Sequence, residues 1–431
     1  MSRALVWFRN DLRLHDHPAL TAAVAAGHDI IPVYCFDDRL QIKSSIGLPR
    51  CGEHRFHFLT ESVFSLQQSI ADRGGELLTL QGNPAAEIGH LAQDLQVNAV
   101  YFHYEIGSEE RRDEAELIAF LENTSIQCIG LTSGDLFDEK DLPFSLESLP
   151  VMFTEFRKKV EGQYPFKKPL DTPRSISFCI PRDHNIKSFF LEKSNNLPHP
   201  LSAVPFNGGE AAGLERLNAY LFETKNISQY KLTRNGLIGT DYSSKFSLWL
   251  ANGSLSPRQI AHAVYRYENS VEANDSTYWM IFELLWREYY RWVHRQHGQR
   301  IFSKDGIKRN TMHTPKIVTS PPFERWCAGK TGDAFVDANM RELNATGWMS
   351  NRGRQNVASY LVHDLGLDWR MGAYYFENKL MDYDVSSNWC NWMYIAGVGN
   401  DPRPFRKFNT TKQANDYDPN GTYRQLWNGR H

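Results

Sequence analysis

Strand-like and helix-like segments alternate through the first 131 residues, and beyond residue 209 the pattern turns helical. No other feature narrows the fold as much. Residues 4–8 (Ala-Leu-Val-Trp-Phe) and 29–36 read as buried strands. Between them, 18–26 is alanine-rich and helical, with Pro18 suited to a first turn. The alternation continues with helix 54–73, strand 76–80, helix 84–95, strand 99–102, helix 109–122 and strand 127–131. Strands joined by helices imply a parallel, doubly wound α/β sheet. No Gly-x-Gly-x-x-Gly follows the first strand and no Walker loop is present, so neither dinucleotide fingerprint applies. Ligands of such sheets bind beyond the carboxyl ends of the strands. Those ends carry Arg9-Asn10-Asp11, Asp37-Asp38 and Tyr104-Glu105 with Glu109-Glu110, which suits a small cationic ligand or ordinary polar loops.

Residues 132–206 are irregular and proline-rich, with one helical piece at 153–161, and read as a linker wrapped over the surface. The expected organisation is therefore an α/β domain over 1–131, a linker over 132–206 and an all-α domain over 207–431. The 431-residue length exceeds what one core normally serves.

Nine of the eleven tryptophans fall after residue 270, which marks the helical half as specialised. The formal net charge is −2, so attraction to nucleic acid would need a local basic surface. Six cysteines are scattered without a Cys-x-x-Cys pair, which points to a reducing compartment and no zinc cluster. Charges at Arg3, Arg9 and Asp11 precede any apolar core of a signal peptide. No apolar run reaches the roughly 18 residues of a membrane span. The expectation is a cytoplasmic or organelle-interior protein without a membrane partner.

Four stretches carry chemistry. Thr233–Ser247 holds two glycines and the cluster Ser243, Ser244, Lys245, Ser247 before a helical run. Hydroxyls, a lysine and backbone N–H groups there suit a phosphate, or serve as helix caps. Helix 276–296 places Glu283, Trp286, Arg287 and Tyr290 on one face at spacings of three and four. That face is a pocket wall or a site of intrahelical Glu283–Arg287 pairing. Gly347-Trp-Met-Ser-Asn-Arg-Gly-Arg-Gln-Asn356 and Asp382-Tyr-Asp-Val-Ser-Ser-Asn-Trp-Cys-Asn-Trp392 set arginines, acids and amides among tryptophans. Charge in that setting pairs internally or holds a ligand. Asp368-Trp369-Arg370 opens a further helix to 380, and the segment after Trp392 reads as an irregular tail rich in Arg, Lys and aromatic residues.

These stretches together resemble the photolyase/cryptochrome family. Val6-Trp-Phe-Arg-Asn-Asp-Leu-Arg-Leu-His-Asp16, Leu255-Ser-Pro-Arg258, Glu283-Leu-Leu-Trp-Arg-Glu288 and Asp382-Tyr-Asp384 are similar to its motifs. Asn339–Asn356, Tyr242-Ser-Ser-Lys-Phe-Ser247 and Ala396-Gly-Val-Gly-Asn-Asp-Pro402 resemble the DASH cryptochromes within it. The resemblance spans essentially the whole chain and implies FAD folded in a U shape within the helical domain. By motif position it assigns Tyr230, Ser243, Ser244, Lys245, Phe246 and Ser247 to the FAD phosphates. It assigns Arg287, Asn351, Arg354, Asp382, Asp384 and Asn388 to the isoalloxazine and adenine region. Arg354 would pair with Asp382, and Asn388 would offer a neutral amide near flavin N5. Trp326, Trp369 and Trp392 match the family's relay of indoles from the surface to the flavin.

The implied activity is blue-light repair of cyclobutane pyrimidine dimers by an electron from excited FADH⁻. In that reading Glu283 hydrogen-bonds the dimer, Trp286 stacks on it and Asn351 orients the bases. Gln355 and Tyr394 stand where duplex-specific photolyases carry methionine and tryptophan. A more polar pocket holds an extruded dimer less tightly, so single-stranded or looped DNA is the expected partner. Asn351 and Gln355 also exclude the histidine pair of (6-4) photolyases. Glu109 or its neighbour Glu110 falls near the acid that binds a 5,10-methenyltetrahydrofolate antenna, with Glu109 the assignment made. The chain is expected to act as a monomer. The competing reading is a blue-light photoreceptor or DNA-binding regulator that signals through FAD redox state.

Overall fold

The structure, a computed structural model, describes residues 2–181, 189, 198–309, 316–401 and 406–429. Its first part runs β1 (Arg3–Phe8), α1 (Pro18–Ala25), β2 (Asp29–Asp37), α2 (Glu53–Ala71), β3 (Leu78–Gly82), α3 (Pro84–Asp94), β4 (Ala99–His103), α4 (Ser108–Leu121) and β5 (Gln127–Leu131). The five strands are all parallel in the order β3-β2-β1-β4-β5. Both faces are covered, which is why the strands read as near-continuous apolar runs. In β1, Ala4, Val6 and Phe8 join one buried cluster and Leu5 and Trp7 the other. Strand β3 starts two residues later than expected, because its ladder with β2 begins at the Val33–Leu78 pair. Chain order reverses on either side of β1, so a crevice opens beyond the carboxyl ends of β1 and β4.

The linker departs from expectation. It contains α5 (Phe153–Val160), as read, but it is not confined to the surface. Leu136, Phe137, Phe153, Phe156, Val160, Phe166, Ala203 and Val204 are buried in the same cluster as the helical half. Phe153, Phe156 and Val160 lie on one face of α5, so one turn-spaced stripe seats the segment. Burying it removes large aromatic area from water, at about 25 cal/mol per Å².

The helical half comprises α6 (Glu210–Asn218), α7 (Tyr230–Thr233), α8 (Ser247–Ala251), α9 (Pro257–Ser270), α10 (Asp275–His297), α11 (Pro321–Cys327), α12 (Ala334–Thr346), α13 (Asn351–Ser359), α14 (Trp369–Lys379), α15 (Val385–Ala396), α16 (Thr410–Tyr417) and α17 (Thr422–Asn428). Single π-helical turns end α6 (Ala219–Glu223) and α13 (Tyr360–Asp364). The segment after Trp392 is not simply irregular. Tyr423 and Trp427 of α17 pack with Phe335 and Ala338 of α12 and close that side of the core. Pro402, the end of the tail motif, lies outside the described residues.

The two halves meet closely at Gly253. It has φ +71°, and a Cβ there would lie 1.9 Å from the Asn10 carbonyl oxygen. Buried Arg13 donates from Nη1 to the Gly253 carbonyl at 2.8 Å. Among the described residues no helix is long and apolar enough to cross a membrane.

Candidate functional site

Helices α10, α13 and α15 converge on a cavity of about 370 Å³. Each is started by a cap. Asn274 accepts from the Ser276 and Thr277 N–H groups, Ser350 from Gly353 and Asp384 from Ser387. The caps set where each helix begins, and helical spacing then aims Glu283, Trp286 and Tyr290, then Asn351, Arg354 and Gln355, then Asn388 and Tyr394 inward. A second cavity of about 260 Å³ shares Glu283, Arg287, Asn351, Arg354, Asp382 and Asp384 with the first, so the two form one bent space. Tyr230, Ser243, Ser244, Lys245, Phe246 and Ser247 line its far end. Every residue expected to contact the cofactor lies on this space.

Arg354 Nη2 lies 2.9 Å from Asp382 Oδ1, and its Nε donates to the Met349 carbonyl. Ser247 Oγ donates to Asp382 Oδ2 at 2.7 Å. Both carboxylate oxygens are therefore occupied and the pair is locked. Asn388 Nδ2 donates to the Ala373 carbonyl at 3.1 Å. Arg287 reaches only carbonyls, Gly134 at 2.9 Å and Leu250 at 3.4 Å, and burial pushes its pKa down. The intrahelical Glu283–Arg287 pairing does not form. Glu283 is taken by Arg234 at 2.5 Å and by Trp279 Nε1 at 3.1 Å, while burial pushes its carboxyl above the ordinary range.

The serine cluster is not a set of helix caps either. The residue before α8 is Phe246 and makes no side-chain cap, while Ser247 bonds Asp382. Lys245 is 2% exposed in the left-handed region at φ 64°. Among the described residues its Nζ has no hydrogen-bond partner, and it sits 3.0 Å from the centre of the Tyr242 ring. Burial drives its pKa well below the usual value. An ammonium held dry with no acceptor is costly unless an anion completes it. This donor set fits a diphosphate.

Several contributors escaped the sequence reading. Arg216 donates to the Ser243 and Ser244 carbonyls at 3.2 and 3.1 Å and so shapes the serine loop. Phe153 stacks on Trp286 at 3.7 Å and 14°, so the linker backs the pocket wall. Arg406 donates to the Tyr394 hydroxyl at 2.7 Å and lies over its ring. All three act across sequence separations that no local pattern encodes.

Among the described residues, ring contacts join these tryptophans in two pairs. Trp392 lines the cavity and touches Trp326 at 6.4 Å, but Trp326 is fully buried. Trp369 instead contacts Trp389 at 5.7 Å, and Trp389 contacts the half-buried Tyr374 at 5.0 Å. Gly372 is needed where Trp392 crosses α14, since a Cβ there would meet the indole at 2.1 Å.

The crevice at the sheet end, about 210 Å³, is lined by Glu110 and not by Glu109. Glu109 is 40% exposed and paired to Arg50, which also binds Glu377 of α14 at 3.1 Å. The other acids at the strand ends are matched too. Asp37 and Asp113 share Arg39, and Glu114 holds Arg9. Glu110 is the strand-end lining acid that no cation pairs among the described residues.

A parallel-sheet domain packed on a helical domain with a bent, anion-ready cavity defines a two-part flavoprotein of the photolyase and cryptochrome type. The profile described as the FAD binding domain of DNA photolyase matches residues 279–428, and that described as DNA photolyase matches 4–174. Cryptochrome DASH of Gloeobacter violaceus is 45% identical over 425 residues, 98% of this chain and 85% of that protein. Cryptochrome DASH of Xenopus laevis is 44% identical over 97% of this chain and 81% of its own. The crystal structure of the Synechocystis sp. PCC6803 cryptochrome superposes with a TM-score of 0.94 at 43% identity, covering 99% of this chain and 88% of that one. The chain belongs to the cryptochrome DASH family.

Proposed function

We propose that this protein repairs cyclobutane pyrimidine dimers in single-stranded or looped DNA under blue light. The observation that carries the reading is the cavity beside the Arg354–Asp382 pair, where the Glu283 carboxylate, the Trp286 indole and the amides of Asn351 and Gln355 face one space. FAD, when bound, supplies the light-driven electron that opens the cyclobutane ring. Tyr230, Ser243, Ser244, Phe246 and Ser247 would hold its phosphates around Lys245, and Arg287, Asp384 and the Arg354–Asp382 pair would hold its ring systems. Asn388 commits its amide N–H to Ala373, which leaves its Oδ1 free to accept a hydrogen bond.

On the substrate side, Glu283 accepts from the pyrimidine edge and Trp286, braced by Phe153, stacks on it. Asn351 sits at the exposed rim to orient the bases. The strand preference rests on Gln355 and Tyr394. Both are polar, and Tyr394 is tied to Arg406, so the wall offers less apolar grip on a base drawn from a duplex. Extrusion from a duplex costs on the order of a few kcal/mol, which a single strand largely avoids. Trp392, Trp326 and Trp369 are proposed as electron donors to the cavity, with Trp389 beside Trp369. For a methenyltetrahydrofolate antenna the acid that faces a cavity is Glu110, because Glu109 is already engaged by Arg50.

The test is repair of a thymine dimer in a short single-stranded oligonucleotide by the reduced protein under blue light. Rapid loss of the dimer is expected, with slower action on the same dimer in duplex and a drop of about tenfold or more for Glu283→Gln. Intact dimers in the single strand would overturn repair. Light-dependent partner binding that survives Glu283→Ala would then favour the photoreceptor reading.

A further inference from the structure

Gln355 presents an amide, and an amide has two chemically opposite ends. Which end faces the cavity decides what that wall recognises. Arg352 Nη1 lies 2.9 Å from Gln355 Oε1. Arginine only donates, so the contact turns the amide oxygen back toward Arg352 and the –NH₂ away from it. The guanidinium is itself immobilised. Nη2 donates to Asn235 Oδ1 at 3.0 Å, Nη1 also reaches Gln413 Oε1 at 3.4 Å, and its face lies 4.5 Å from the Tyr417 ring centre. Gln413 is held in turn by Asn356 Nδ2 at 3.3 Å. The turn after α7, helix α13 and helix α16 thus meet on Arg352, behind Gln355 and off the cavity lining.

We propose that Arg352 is a positioning residue that locks Gln355 as a hydrogen-bond donor, so that the cavity selects a ligand offering a carbonyl acceptor on that side. Glu283, on the same cavity, is an acceptor. A wall that donates and a wall that accepts together match the edge of a pyrimidine imide, whose ring N–H lies between two carbonyl oxygens. This rests on the reading of the cavity as the dimer pocket. It adds a specificity mechanism that involves α16, an element distant in sequence from the pocket.

The test compares dark binding of flavin-loaded protein to two short single-stranded oligonucleotides, one with a single thymine dimer and one without damage. The readout is the ratio of the two affinities. Arg352→Met and Gln355→Ala are each expected to cut that ratio by about five- to tenfold, the value of one neutral hydrogen bond. The double variant should fall no further than Gln355→Ala alone. Gln355→Glu keeps an acceptor for Arg352 but has no donor, and should lose at least as much discrimination as Gln355→Ala. It also leaves the Arg352 cluster in place should Arg352→Met fail to retain flavin. An equal loss of affinity for both oligonucleotides in Arg352→Met would overturn the proposal, because Arg352 would then be a strand-phosphate contact. Additive losses in the double variant, or undiminished discrimination in Gln355→Glu, would overturn it as well. A wild-type protein without preference for the dimer would instead remove the pocket reading, and the proposal with it.

Discussion

At the carboxyl end of the sheet, charges answer one another: Arg9 with Glu114, Arg39 with Asp37 and Asp113, Arg50 with Glu109 and Glu377. In the helical cavity only some do: Arg354 meets Asp382 and Arg234 meets Glu283, but among the described residues Lys245 Nζ has no hydrogen-bond acceptor and Arg287 donates to carbonyls alone. Both regions looked alike as strings of arginines and acids. The difference is what each leaves over once its neighbours are in place. A balanced crevice is held together by its charges, whereas a cavity with spare cations is completed by an anion.

The comparison breaks most readily at Arg9. Arg9→Met strands Glu114, which is 5% exposed, and should destabilise the protein by about 3 kcal/mol in denaturant unfolding while flavin content stays at wild-type level. A variant that lost flavin in proportion to stability would show that the crevice and the cavity are not independent.

Lys245→Met should do the reverse. Flavin affinity should fall about a hundredfold, read by absorbance after dialysis, because a charge-assisted contact is lost. The flavin-free variant should melt at or above the wild-type temperature, since a buried ammonium without a hydrogen-bond acceptor among the described residues has been removed. A lower melting temperature would mean that Lys245 has a structural partner.

The pH dependence sharpens the same contrast. Glu342 is 1% exposed, accepts from the Tyr423 hydroxyl, and burial raises its pKa to about 7 from 4.5. A carboxyl raised on folding keeps its proton in the native state while the unfolded chain releases it. Its contribution is therefore full below about pH 4.5 and is lost as pH rises through 7. Glu342→Gln should flatten that fall by about 2 kcal/mol in the flavin-free protein, measured as unfolding free energy from pH 5 to 8. At the sheet end Glu105 behaves oppositely. Its burial is outweighed by His103 and Arg9, which hold it down at about 2, so its stabilisation is lost as pH falls from about 4.5 through 2.

The smallest effect concerns the linker. Phe153→Leu removes the ring stacked on Trp286 and should lower affinity for a dimer-containing single strand about three- to tenfold, with flavin content unchanged. No change would mean that Trp286 is held by Tyr394 and Tyr290 alone.

Much of the architecture was legible in the sequence. The alternation over the first 131 residues specifies five strands because parallel strands buried on both faces must be apolar throughout. The face carrying Glu283, Trp286, Arg287 and Tyr290 was legible from spacing, because 3.6 residues per turn permits only one arrangement. Less legible were α15, whose Ser- and Asn-rich start has weak helix propensity and depends on the Asp384 cap and tertiary packing, and the tail helices, which Tyr423 and Trp427 seat on α12. The linker looked like surface because prolines dominate its local pattern, although its aromatic stripe belongs to the core.

The sequence by itself determined the sheet, the main helices and the residue types gathered at the cavity, since periodicity and capping are local rules. Only the tertiary structure decided which charge meets which. It gave Glu283 to Arg234 and not to Arg287, set Lys245 against the Tyr242 ring, and turned Gln355 by means of Arg352. The physical reason is that pairing energies depend on burial and on angstrom-scale distances between segments far apart in the chain, and neither quantity is written in local order.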